Sequence, residues 1–193
     1  MRRLLVPFLG IALVAVLVIG LTQAGSKSDD GDAAARFDPQ AARAALAGAP
    51  APLASLYRQP SAILAGGKPA FDKRVDGLAG HPMVINKWAS WCRPCRAEFP
   101  VFQQVATDRG KRVAFLGING GDKLPAAKKF LAEHPLPYPS YEEPDEDISR
   151  DRKVPKNYPM TLFIDERGKT AFIHAGEYTS PADLEADIDR YLG

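Results

Sequence analysis

The only two cysteines of this chain, Cys92 and Cys95, stand three residues apart in the stretch KWASWCRPCRAEFP, Lys87 to Pro100. Two thiols at that spacing can hold a metal, carry a haem, brace the fold, or cycle between dithiol and disulfide. A structural zinc site takes about four nitrogen or sulfur ligands. His81, His134 and His174 are scattered along the chain and read as surface or loop residues. Covalent haem attachment needs a histidine directly after the second cysteine, and Arg96 stands there. A permanent bridge across so short a loop restricts the unfolded chain little. A redox dithiol is the preferred reading, and a copper-binding thiol module without turnover stays open beside it. No cofactor and no resident metal are expected.

The elements that must position the pair follow from periodicity. PMVINKW, Pro82 to Trp88, is a compact apolar run that predicts a buried strand. Past the cysteines, Phe99, Phe102, Val105 and Ala106 recur at helical spacing, and the helix ends near Asp108 to Gly110. RVAFLGIN, Arg112 to Asn119, predicts a second buried strand, and Pro125 to His134 a helix stopped before Pro135. Met160 to Asp165 and Thr170 to Ala175 predict a hairpin about ERG. Ser180 is an N-cap with Pro181 at the first helical position, and Leu184, Ile188, Tyr191 and Leu192 form one apolar stripe. Upstream, Leu53 to Leu64 reads as a short helix with a loop, and AGGKPAF as a turn. The charged run Tyr141 to Asn157 reads as a solvated loop. The resulting order is strand, helix, strand, helix, hairpin, helix. The cysteines then lie between a strand's carboxyl end and a helix start, where α/β sheets place their sites.

The totals bound the class. The chain has 193 residues, 46% of them hydrophobic, enough for one domain with additions. The formal charge is +2, from 25 basic and 23 acidic residues, with no basic stripe to suggest nucleic acid. Leu4 to Leu21 is an uncharged apolar run preceded by Arg2 and Arg3. It reads as a transmembrane anchor, or else as a signal peptide cleaved after Ala24, with Thr22 a poor residue at the minus-three position. No cysteine follows it, so lipid attachment is not indicated. Either reading exports the cysteines to a compartment where disulfides persist. The expected organisation is an anchor or signal over 1–24, a flexible linker over 25–52, in which Pro39 to Pro50 could form a short helix, and the domain over 53–193.

WASWCRPCRAEFP together with YPMTLFIDERGKT resembles the TlpA/ResA/CcmG group of membrane-tethered, thioredoxin-fold thiol-disulfide oxidoreductases, over roughly residues 60 to 193. The resemblance implies a three-layer α/β fold with a mixed central sheet. It implies that Pro159 is cis and faces the disulfide, leaving the Tyr158 carbonyl and Met160 amide open to an extended partner. It implies protein dithiols and disulfides as partners, and a membrane thiol transporter as electron donor. Extracytoplasmic reduction, as in cytochrome c maturation, is the expected use. A disulfide-introducing oxidant is the alternative within the same chemistry.

Residue roles follow. Cys92, at the helix start, is the expected nucleophile, its thiolate favoured by the helix dipole and by Arg93. Cys95, one turn on, resolves the mixed disulfide. Trp91 is expected to cover the pair and shape the docking surface. Thioredoxin's buried aspartate is replaced here by Asn86, which cannot ionise. Glu98 lies on the Cys95 face of the helix, and ResA-type members carry a glutamate there, so it is the candidate proton partner of Cys95. Met160 stands where CcmG-type members tend to have an acidic residue.

Overall fold

The computed structural model describes residues 37–193. The expected anchor or signal over 1–24 and the first part of the expected linker lie outside the described residues. Among the described residues no helix is long and apolar enough to cross a membrane. In chain order the elements are α1 (Pro39–Ala45), α2 (Ala51–Tyr57), β1 (Ile63–Leu64), α3 (Gly67–Asp76), β2 (Met83–Trp88), α4 (Arg93–Arg109), β3 (Ala114–Gly120), α5 (Leu124–Glu133), β4 (Ser140–Glu143), α6 (Asp147–Asp151), β5 (Met160–Ile164), β6 (Thr170–Ala175) and α7 (Pro181–Leu192).

The strands form one sheet in the order β1-β4-β3-β2-β5-β6. β1, β4, β3 and β2 run parallel; β5 runs antiparallel to β2, and β6 antiparallel to β5, so β5 alone is reversed. β2 and β3 are fully buried because helices cover both faces of the sheet, which is why they read as apolar runs without alternation. Side chains alternate between the two faces. Asn86 and Trp88 point to α4 and α5: Asn86 bonds Glu98, and the Trp88 ring meets Phe99 at 5.3 Å and Phe130 at 5.7 Å. Lys87 points the other way, to Glu146 at the start of α6. α7 lies beside α4, joined by Arg109 to Glu185 and Asp189. The architecture is therefore helix, mixed sheet, helix, with the cysteine loop at the carboxyl end of β2.

Three expectations change. The compact unit begins at Phe37, ahead of the expected boundary at 53. The reason is packing: Ala42 and Leu46 are buried, and Leu46 lies against Gly110, where a Cβ would come within 2.5 Å of its Cδ2. AGGKPAF is the start of helix α3, not only a turn. Phe71, Val75 and Leu78 recur at helical spacing and all three are buried. Gly66, at φ +101°, supplies the left-handed entry, where a Cβ would sit 2.8 Å from that of Ala70. The charged run 141–157 is not a solvated loop. It contains β4 and α6, and buries Tyr141, Glu143, Ile148, Ser149 and Val154. Charged residues masked the few apolar positions that direct it inward.

Candidate active site

The cysteines sit where β2 gives way to α4. Cys92 is the N-cap of α4, in extended conformation, and its Sγ accepts the Cys95 amide at 3.2 Å. Pro94 lies in the first turn, where a missing N–H costs nothing, because that amide has no partner within the helix. Pro100 lies further in and removes the amide that would bond the Arg96 carbonyl. Cys92 and Cys95 form a disulfide with Cα atoms 5.3 Å apart. Cys95 is fully buried, and Cys92 retains 3% of its surface. Its sulfur is turned inward, toward the Cys95 amide and the buried Cys95 sulfur. A partner must therefore press its own sulfur close against the loop to reach it. Arg93 is exposed beside it.

The loop before the disulfide is held by a side chain the sequence did not single out. Asp122 accepts from the Ser90 amide at 2.5 Å, the Ser90 hydroxyl at 2.9 Å, Asn119 Nδ2 at 3.0 Å and the Lys123 amide at 2.7 Å. Trp91 projects from this loop, 60% exposed, and donates from Nε1 to the Gly121 carbonyl at 3.0 Å. Its ring meets Tyr158 edge to face at 5.1 Å. The Tyr158–Pro159 peptide bond is cis. Tyr158 is half-buried, whereas Met160 is 1% exposed and lies in the ladder between Lys87 and Ala175. Tyr158 thus offers a ring surface and the Met160 side chain is buried; the expected contacts of these two residues with a partner are backbone ones, through the Tyr158 carbonyl and the Met160 amide.

Beneath Cys95, Glu98 has no exposed surface. Asn86 Nδ2 donates to its Oε1 at 2.6 Å, and the Tyr178 amide to its Oε2 at 3.3 Å. Burial pushes the Glu98 carboxyl up to about 8; the two donors pull the other way, and Glu177 adds to the rise. Asn86 thus occupies the place of an acid and serves as a fixed donor to one supplied from the helix. Tyr178 was not anticipated. Its ring packs on Phe102 and His174, and its hydroxyl donates to Asp187 at 2.7 Å, which fixes the amide aimed at Glu98.

A third unanticipated group is Lys87, buried in β2 and paired with the partly exposed Glu146 and Tyr158. The signal was available: one charged residue inside the apolar run VINKW. Among the described residues no cluster of three or more His, Cys, Asp or Glu side chains is placed to hold a metal ion.

The site thus combines a strand-to-helix disulfide, a buried carboxylate one turn behind it, and a cis-proline that follows the tyrosine packed on Trp91. The AhpC/TSA family model matches residues 67–173, more than half of the chain. The chain belongs to the AhpC/TSA family. It is 32% identical over 200 aligned residues to the thiol:disulfide interchange protein DsbE of Allochromatium vinosum, covering 100% of this chain and 96% of that one. It is 28% identical over 127 residues to the thiol-disulfide oxidoreductase ResA of Geobacillus kaustophilus, covering 63% and 67%. Two further curated relatives are matched over 65% and 49% of their own length. Among solved structures, a putative thiol:disulfide interchange protein DsbE from Chlorobium tepidum superposes with a TM-score of 0.55 at 32% identity, over 62% of this chain and 85% of that one. The fold is thioredoxin-like, as the resemblance implied.

Proposed function

We propose that the chain is a thiol-disulfide oxidoreductase that reduces disulfides of partner proteins. The observation that carries this reading is the Cys92–Cys95 disulfide at the head of α4 with Glu98 buried one turn behind it. In the reduced chain, the Cys92 thiolate attacks one sulfur of a partner disulfide. A Cys92–partner bond forms, and the partner's other sulfur leaves as a thiolate that takes a proton from solvent. Cys95 then gives its proton to the Glu98 carboxylate and attacks Cys92. The partner's second sulfur leaves, and two electrons have passed from the dithiol to the partner. In the oxidised chain Glu98 holds that proton, in keeping with a carboxyl pushed up to about 8. When a donor dithiol re-reduces Cys92, Cys95 leaves as a thiolate and recovers the proton from Glu98.

The direction, compartment and donor belong to the same proposal. The apolar run Leu4 to Leu21 behind Arg2 and Arg3 supports a membrane-anchored chain with its domain outside the cytoplasm. A membrane thiol transporter would then supply electrons. Cytochrome c maturation is one pathway such a reductase serves. Replacing Cys95 by Ser leaves Cys92 able to attack and removes the resolving thiol. The expected result is covalent, reductant-sensitive adducts on Cys92 with partner proteins. A Cys95→Ser chain that forms no such adducts, while the native chain binds Cu(I) stoichiometrically and forms no reversible disulfide, would overturn the proposal.

A further inference from the structure

Lys87 is the one lysine among the large, fully buried side chains of the described residues. An ammonium group there is costly unless it is paired. Its Nζ lies 3.2 Å from Glu146 Oε1 and 3.3 Å from the Pro155 carbonyl, and 4.4 Å above the centre of the Tyr158 ring. The same Glu146 Oε1 accepts the Tyr158 hydroxyl at 2.9 Å. Tyr158 is thus gripped twice, its face by a cation and its hydroxyl by the carboxylate that neutralises that cation. Gly120 completes the seat, since a Cβ there would come within 2.5 Å of the Tyr158 hydroxyl and 3.4 Å of Lys87 Cε. On its outer side the Tyr158 ring supports Trp91, the residue directly before Cys92. The ion pair lies on the face of the sheet opposite Glu98, so it is separate from the proton partner of Cys95. An aliphatic side chain at 87 would suit the apolar strand without an ion pair. What the lysine adds is a fixed position for one aromatic ring at the rim of the disulfide.

We infer that Lys87 and Glu146 are positioning residues for protein-disulfide docking, holding Tyr158 and through it Trp91 as a preorganised aromatic rim beside Cys92. The inference rests on the proposed reductase function and names what selects a protein disulfide over a small one. Preorganisation matters because a loose rim would have to be ordered when the partner binds. Tyr158 and Trp91 suit such a surface, as large amphipathic rings with few rotatable bonds.

The test uses the full chain, reduced and freed of reductant, with two oxidants. One is a synthetic peptide closed by a disulfide; the other is dithiodipyridine, which is too small to span the rim. Lys87→Met is expected to lower the rate of exchange with the peptide roughly tenfold, the worth of one charge-assisted hydrogen bond. The loss should appear in the half-saturating peptide concentration. Exchange with dithiodipyridine should stay within about twofold of the native chain, a difference too small to reflect even a weak lost contact. Tyr158→Phe, which keeps the ring and loses the bond to Glu146, should lower the same peptide-to-dithiodipyridine ratio. The double variant should lose less than the product of the two, because both act on one ring. An unchanged ratio in Lys87→Met would overturn the inference, as would an equal fall with both oxidants, which would mark the lysine charge as acting on the Cys92 thiolate instead. Should Lys87→Met fail to fold, the ratio in Tyr158→Phe decides on the same terms. A native chain that exchanges with neither oxidant would overturn the proposed function, and the docking role with it.

Discussion

Replacing Glu98 by Gln probes the buried acid directly, and the structure sets the size of the effect. The carboxyl has no exposed surface and lies at about 8 in the folded, oxidised chain, against 4.5 for a free glutamate. Its folded value is raised, so the folded chain holds this proton over a pH range where the unfolded chain has released it. Stability from this group is then highest below 4.5 and falls as pH rises toward 8, where the folded chain must also ionise it. A separation of that size corresponds to a loss on the order of 3–5 kcal/mol across the window. Glutamine keeps the shape and cannot ionise. Its amide can meet Asn86, whose Oδ1 has no protein partner, and its oxygen can still accept the Tyr178 amide. Urea denaturation of the oxidised protein at intervals from pH 4.5 to 8.5 would measure the difference. The native chain should lose stability relative to Glu98→Gln as pH rises, with the curves diverging below pH 8. Other titrating groups, including Glu143, which burial also raises, act on both proteins and drop out of the difference. Parallel curves would refute the assignment of a buried, proton-holding Glu98.

Other substitutions test the frame around the site. Phe71→Ala removes a fully buried ring that meets Tyr141 edge to face at 5.7 Å, and should cost about 3–5 kcal/mol in urea denaturation without changing the potential of the disulfide. Gly120→Ala pushes a Cβ against the Tyr158 hydroxyl and should cost about 1–3 kcal/mol by the same assay; a neutral result would mean that the Tyr158 seat is loose.

The parts of the structure that were readable from sequence are those where one physical signal dominates. β2 and β3 are buried on both faces and announce themselves as apolar runs. α7 carries an N-cap serine, a first-turn proline and an apolar stripe, each of which the structure uses. α3 was hidden because its two buried positions, Phe71 and Val75, are spaced among glycines, lysines and a proline that signal a turn. α6 and β4 were hidden by charge. Glu143 is buried and accepts from the Ser149 amide and hydroxyl, a pairing that no local pattern predicts. The same holds at the site. Cys92, Cys95 and Glu98 lie on one helix, so their spacing is a local fact. Tyr178 and Glu146 reach Asn86 and Lys87 of β2 from segments far along the chain, and only strand register and helix packing bring them together. Composition can mark Lys87 as out of place in its strand. It cannot supply the partner, Glu146, which arrives from a segment that reads as solvent-facing.

The most direct test of the central claim is the equilibrium reduction potential of the Cys92–Cys95 pair, measured against glutathione and dithiothreitol buffers. The account predicts a reversible two-electron couple near or below that of thioredoxin, about −270 mV, as befits a chain that donates electrons to partner disulfides. A value close to about −120 mV, that of a strong disulfide donor, would contradict it and make the chain an oxidant.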